Sequence, residues 1–197
     1  YPDLYVSDPD KTDTRVVVPP SVAVLGAYSL NDSAASEYAA PAGLTRGTFT
    51  SAEQAFVELN RDNLNSLYDA SINPITDFPG SELTVWGQKT LKPGTSSLNR
   101  VNVRRLLIFI RRQVRGVGRQ ILFEPNREST LSKFSSLVNP ILQQVQERSG
   151  ISRYKVQIDT TTTTQADIEN NTIRGKIYLQ PVRTAEFISL DFVLENT

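Results

Sequence analysis

The chain has 197 residues, 39% of them hydrophobic, which is enough for one domain with a substantial core or for one domain plus arms. Cysteine, histidine and methionine are all absent, which excludes a disulfide framework, thiol chemistry, a histidine-based triad and the commonest metal ligand. The 21 basic and 21 acidic residues cancel overall, but they lie in blocks. Residues 1–82 carry four basic and twelve acidic groups, net −8, and residues 83–123 carry nine basic groups and no acid, net +9. The remainder is −1. Such polarity suits complementary packing within a chain or between copies, whereas a general polybasic nucleic-acid binder would keep a surplus. No apolar run approaches membrane-spanning length and no signal-peptide pattern opens the chain. The start at Tyr1 rather than at methionine gives the expectation of a piece excised from a longer protein.

Taken in order, residues 1–15 are polar and acidic, with Pro2, Pro9 and four aspartates, and read as a linker or arm ordered only where something holds it. Around Pro19-Pro20, the stretch from Ser21 to Leu25 reads as a short strand or extended segment leading to Gly26. Residues 29–50 are small and polar and predict a long irregular stretch. Thr50 and Glu53 form a capping-box candidate for a helix through Ala52, Ala55, Phe56 and Leu59, with a further turn at Leu64, Leu67 and Tyr68. Glu82–Trp86 alternates as a strand, and Lys89–Asn99 reads as an exposed loop around Pro93-Gly94.

The chain is organised around Arg100–Arg119, which holds seven arginines and no acid yet is strongly apolar. Val103, Leu107, Ile110, Val114 and Val117 recur at spacings of four, three, four and three, the period of a helix with one buried face. Arg104, Arg111 and Arg115 fall on another side, with Arg105 and Arg112 offset from them. Gly116 and Gly118 loosen the predicted end, before a short strand at Gln120–Phe123. A second long helix is predicted over Thr130–Arg148, its buried stripe including Phe134 and Val138, bent at Pro140 and terminated by Gly150. Arg153–Asp159, Ile173–Leu179 and Phe187–Leu194 read as strands, with a short helix or turn from Gln165 capped by Thr164 or a neighbour of Gln165. Ile177, Phe187 and Leu190 are expected in the core, as is Trp86. The order of elements predicts an α/β (α+β) sandwich, in which two long helices and shorter ones flank a mixed β-sheet, with an extended N-terminal arm.

The enzyme case is thin. Asp167 and Glu169, or Asp159 and Asp167, are the only carboxylate pairs that stand out, and turn acids explain them. Gly116 and Gly118 imitate a fragment of a dinucleotide loop but follow a helix rather than a strand. No catalytic, cofactor or metal residues are assigned. The arginine run admits three readings: a solvated face, a nucleic-acid surface, or a surface for an acid-rich protein partner. Only Phe109 interleaves the arginines as an aromatic platform, which weakens the nucleic-acid reading.

The blocks WGQKTL at Trp86–Leu91, VNVRRLLIFI at Val101–Ile110, LFEPN at Leu122–Asn126 and IYLQPVRTAEFISLDF at Ile177–Phe192 resemble the contractile tail sheath proteins of myovirus-type bacteriophages, T4-like or giant. PPSVAVLGAY, YAAPAG at Tyr38–Gly43 and INPI at Ile72–Ile75 add to the resemblance, which spans about Pro19 to Leu194 in the family's order. It implies a flexible segment 1–15 before a conserved sheath core, 16–197. It further implies subunits that stack as hexameric rings around a tail tube, linked by terminal strands added to a neighbour's sheet. Contraction by repacking, without nucleotide hydrolysis, would drive the tube through the host envelope. Implied partners are other sheath subunits, the tail tube protein, and baseplate and tail terminator proteins. The implied location is the virion, after assembly in the bacterial cytoplasm, with no direct nucleic-acid contact, membrane insertion or cofactor. A piece lacking its linking strands is expected to be monomeric. On this resemblance Arg104, Arg105, Arg111, Arg112 and Arg115 become candidates for contact with a neighbouring subunit or the tube.

Overall fold

The computed structural model describes residues 1–8, 10–11 and 14–186. The elements in chain order are β1 (Leu4–Ser7), β2 (Arg15–Val18), α1 (Pro20–Ala34), β3 (Ala52–Ala55), α2 (Arg61–Asp69), β4 (Ile75–Thr76), β5 (Thr84–Val85), α3 (Val101–Ile121), α4 (Glu128–Glu147), β6 (Ile151–Gln157), α5 (Gln165–Glu169) and β7 (Lys176–Pro181). The α+β architecture with two long helices is as the sequence implied. Its described strands form three small antiparallel sheets, β2-β1-β3, β4-β5 and β6-β7, rather than one mixed sheet.

The N-terminal stretch expected as an arm supplies the central strand of the first sheet. Leu4 pairs with Val18 on one side and Ala55 on the other. Its side chain is fully buried, with Pro2 beside it in the same class. The local composition is polar, but one leucine placed between two strands holds the segment. The segment after Pro19 is a helix, not a strand: Pro20 stands at the first helical position, where its fixed φ fits and its missing N–H costs nothing. Ala23 and Ala27 form the buried face of α1. The helix expected from Thr50 is instead β3, which Leu4 and Tyr5 recruit through the ladder. Helix formation starts later, at α2, where Asn60 and Asn63 cap each other reciprocally. Residues 35–50 are largely irregular and are laid against β5, with Gly43 N–H donating to Val85 O and Phe49 N–H to Leu83 O.

Two apolar clusters result. The first gathers Leu4, Ala23, Ala27, Phe49, Ala55, Ile75, Leu83 and Val85. The second gathers Leu106, Ile110, Val117, Val138, Leu142, Val145 and Ile151 with Tyr38, which among the described residues is its one buried member from the N-terminal half. Phe134, Val114 and Ile177 are partly buried against this second cluster. α4 runs as one helix through Pro140. Its end is a reciprocal carbonyl cap in which Ser149 N–H donates to Gln146 O and Gly150 N–H to Val145 O. The left-handed residue in that cap is Ser149 (φ 58°), not the glycine. Gly150 is required for space: a Cβ there would lie 2.8 Å from both Tyr38 Cε2 and Val145 Cγ1. Trp86, expected in the core, is 42% exposed, its ring edge-on to Phe78 at 4.5 Å. The strand predicted at Phe187–Leu194, with its candidate core residues Phe187 and Leu190, lies outside the described residues.

Candidate assembly interface on helix α3

α3 is longer than the sequence suggested. It passes through Gly116 and Gly118 and absorbs the first half of the strand predicted at Gln120–Phe123. Leucine, isoleucine, arginine and glutamine carry the helix propensity that two glycines do not cancel over five turns. The entry is fixed by Val101 N–H donating to Gln88 O, since no side chain caps Arg100. The exit is fixed by Leu122 in an extended conformation and Phe123 at φ 69°.

The buried side of α3 is Val103, Leu106, Ile110, Val117 and Ile121, with Asn102. Leu106 is therefore the deeply buried leucine, at 2% exposure. Leu107 and Val114, expected at the centre of the stripe, are half-buried at its edge and line a groove against Ile177 and Leu179 of β7. The apolar band is wider than a single heptad-like seam.

The candidate arginines divide into two sets. Arg105 turns towards α1: its Nη2 donates to both Asp32 oxygens, at 2.7 and 2.5 Å, and its guanidinium carbon lies 5.0 Å from the Tyr28 ring centre. Burial pushes the Tyr28 hydroxyl above its ordinary pKa, with Arg105 partly opposing. Arg112 pairs with Glu37 in the segment after α1 and stands over Phe109. Phe109 itself packs on Tyr38 with centroids 5.4 Å apart, so it is engaged in the core rather than offered to a base. The other three, Arg104, Arg111 and Arg115, are exposed and have neither ion pair nor hydrogen bond among the described residues. At 100° per residue they fall within about 40° of one another, and Arg111 and Arg115 border the same groove beside Ile177 and Leu179.

One ionic cluster was not anticipated. Arg100, at the mouth of α3, holds Glu186 through Nε at 2.6 Å and Nη2 at 2.8 Å. The Tyr68 hydroxyl donates to the same carboxylate at 2.7 Å, and Gln88 Nε2 donates to Thr184 at 2.5 Å. Burial, then the contact with Glu186, raises the Tyr68 pKa. The network ties α2, α3 and the segment after β7 together. Its only trace in the sequence is Arg100 at the head of an acid-free block.

The carboxylates considered for catalysis have local duties. Asp167 caps α5 in a reciprocal box with Thr164 and pairs with Arg174 at 2.6 Å, and Thr164 in particular holds its pKa low. Asp159 accepts from Thr161 and Thr162 in its own turn, which likewise lowers its pKa. Among the described residues, no three His, Cys, Asp or Glu side chains stand together as a metal site, and no helix is long and apolar enough to cross a membrane.

Comparison with known proteins accords with this geometry. The chain is 31% identical over 180 residues to the tail sheath protein of Vibrio phage KVP40 and 31% identical over 185 residues to that of Enterobacteria phage T4. These alignments cover 91% and 94% of this chain but only 27% and 28% of those proteins, so the chain spans about a quarter of its curated relatives. Among solved structures, the sheath complex of the extracellular contractile injection system PVC in its contracted state matches with a TM-score of 0.88 at 26% identity, over 99% of this chain and 55% of that one. A chain of the anti-feeding prophage baseplate matches with a TM-score of 0.87 at 24% identity, over 99% of this chain and 53% of that one, a likeness of fold. The family model for the phage tail sheath C-terminal domain matches residues 94–195, from just before α3 onward, and the chain belongs to that family.

Proposed function

We propose that this chain is the structural, non-catalytic core of a contractile tail sheath subunit. The observation that carries the reading is the coincidence of the family match with a fold shared over 99% of the chain with a contracted sheath complex. Copies stack as hexameric rings around a tail tube in the virion, after assembly in the host cytoplasm. They engage baseplate, tube and terminator proteins and drive the tube onward by repacking folded subunits.

Two features of the chain support this mechanism. β6 and β7 form a two-stranded sheet backed by α4, and a sheet of two strands leaves backbone groups free on its outer edges among the described residues. A linking strand from a neighbour would satisfy them. α3 offers three guanidinium groups on one face that are unpaired among the described residues, suited to bidentate pairing with carboxylates of a neighbour or the tube. The test is electron microscopy of the full-length protein after purification. Long tubular polymers are the expected result; persistent monomers from intact protein would overturn the reading.

A further inference from the structure

The arginine face of α3 has a counterpart on the same molecule. Glu58, Asp77 and Glu82 stand around a groove of about 470 Å³ floored by Phe49 and Leu83. All three acids are exposed and none forms an ion pair among the described residues. They belong to the acidic first block of the chain, while Arg104, Arg111 and Arg115 belong to the basic second block. The remaining charges of α3 that lie near acids of the first block are already satisfied inside the chain, Arg105 by Asp32 and Arg112 by Glu37. Among the described residues of one copy, these three cations of α3 and these three anions around the groove form no ion pair with each other.

From this complementarity we infer that the Arg104–Arg111–Arg115 face of α3 docks on the Glu58–Asp77–Glu82 groove of a second copy of the chain. The contact is heterologous: donor and acceptor surfaces are different patches of one molecule, so each copy that docks presents a fresh acceptor. Repetition then builds a ring or helix rather than a closed pair. Arg104 and Arg115 are eleven residues apart, about 16 Å along the helix. The charged contacts are accompanied by an apolar one, because Ile108 lies on the same side of α3 and is 60% exposed. An apolar side chain among arginines, opposite a groove with an apolar floor and acidic rim, has the composition of an interface anchor.

The inference rests on the sheath reading, and a charge swap separates the two. In the full-length protein, Arg111→Glu with Arg115→Glu is expected to reduce the polymerised fraction at least tenfold in sedimentation. Adding Asp77→Lys and Glu82→Lys to the same chain is expected to restore it. Circular dichroism of each variant checks the fold. Should the reversals unfold the chain, Asp77→Asn with Glu82→Gln on the acceptor side alone is expected to weaken polymerisation at fixed salt. Unpolymerised wild-type protein would overturn the sheath reading itself. A wild type that polymerises, beside folded reversals that polymerise equally well or are not rescued by the swap, would overturn only the docking. Reversals that lose tube binding while sheath polymers persist would also overturn the docking and assign the face to the tube.

Discussion

Gly150→Ala isolates how the two halves of the chain are packed. The new methyl carbon would lie 2.8 Å from Tyr38 Cε2 and 2.8 Å from Val145 Cγ1, with Tyr38 Cδ2 at 2.9 Å. Carbon atoms are at ease near ~3.5–4.0 Å, so the methyl is too close by roughly 0.7–1 Å on two sides. Neither side gives easily: Val145 is 2% exposed on α4, and Tyr38 is 7% exposed and held by Phe109. Overpacking of this kind costs ~1–3 kcal/mol. Gly150 is not among the positive-φ residues, so alanine brings no left-handed strain. It gains instead ~0.4–1 kcal/mol from the less flexible unfolded chain. The net expectation is a loss of about 1–2 kcal/mol, or roughly 2–8 °C in Tm for a chain of this size. Thermal and denaturant unfolding would read it, with an unchanged denaturant slope as the sign that only stability moved. The penalty should shrink in a Tyr38→Ala background, where the ring is gone. A raised Tm for Gly150→Ala, or the same penalty with and without the ring, would refute the reasoning.

Leu106→Ala is expected to cost ~2–5 kcal/mol and Leu107→Ala clearly less, because only Leu106 is sealed in the core; paired denaturant melts compare them. Arg105→Ala, Asp32→Ala and the double variant should show a coupling of ~1–3 kcal/mol by thermal unfolding, since this half-buried pair joins α1 to α3, whereas Arg112 with Glu37, more exposed, should couple by less than ~1 kcal/mol. Asp167 has a folded pKa below its unfolded value, so its contribution is present above about pH 4 and disappears as pH falls through the folded pKa; Asp167→Asn should flatten that part of the acid limb in a pH series of melts.

The long elements were legible and the short ones were not, for reasons visible in individual residues. α3 and α4 carry their own apolar period over five turns each, and β6 and β7 alternate, so local pattern and tertiary packing agree. β1 and β3 have no such signal. The segment Ala-Glu-Gln-Ala is a poor strand former, and it becomes β3 because Leu4, about fifty residues earlier, has an edge to fill. The double proline misled because Pro20 opens a helix as readily as Pro19 ends an extended stretch. For the interface, sequence periodicity named the arginines but could not sort them. Arg105 and Arg104 are neighbours in the chain, and the position of Asp32 on α1 decides that one is spoken for while the other has no ion pair among the described residues.

Tyr38 has a consequence for how the molecule comes apart. It is a side chain from the half that builds the first cluster, yet it is buried in the second, wedged between Phe109 and the backbone at Gly150. Without that crossing, the two clusters would be separate foldons joined by polar contacts, each free to open at its own free energy. With it, the second core cannot loosen around α4 without releasing the segment that follows α1, and amides in both regions should exchange through a shared opening. On the contraction proposed above, such cooperativity would keep this part of the subunit in one piece while its contacts with neighbours change.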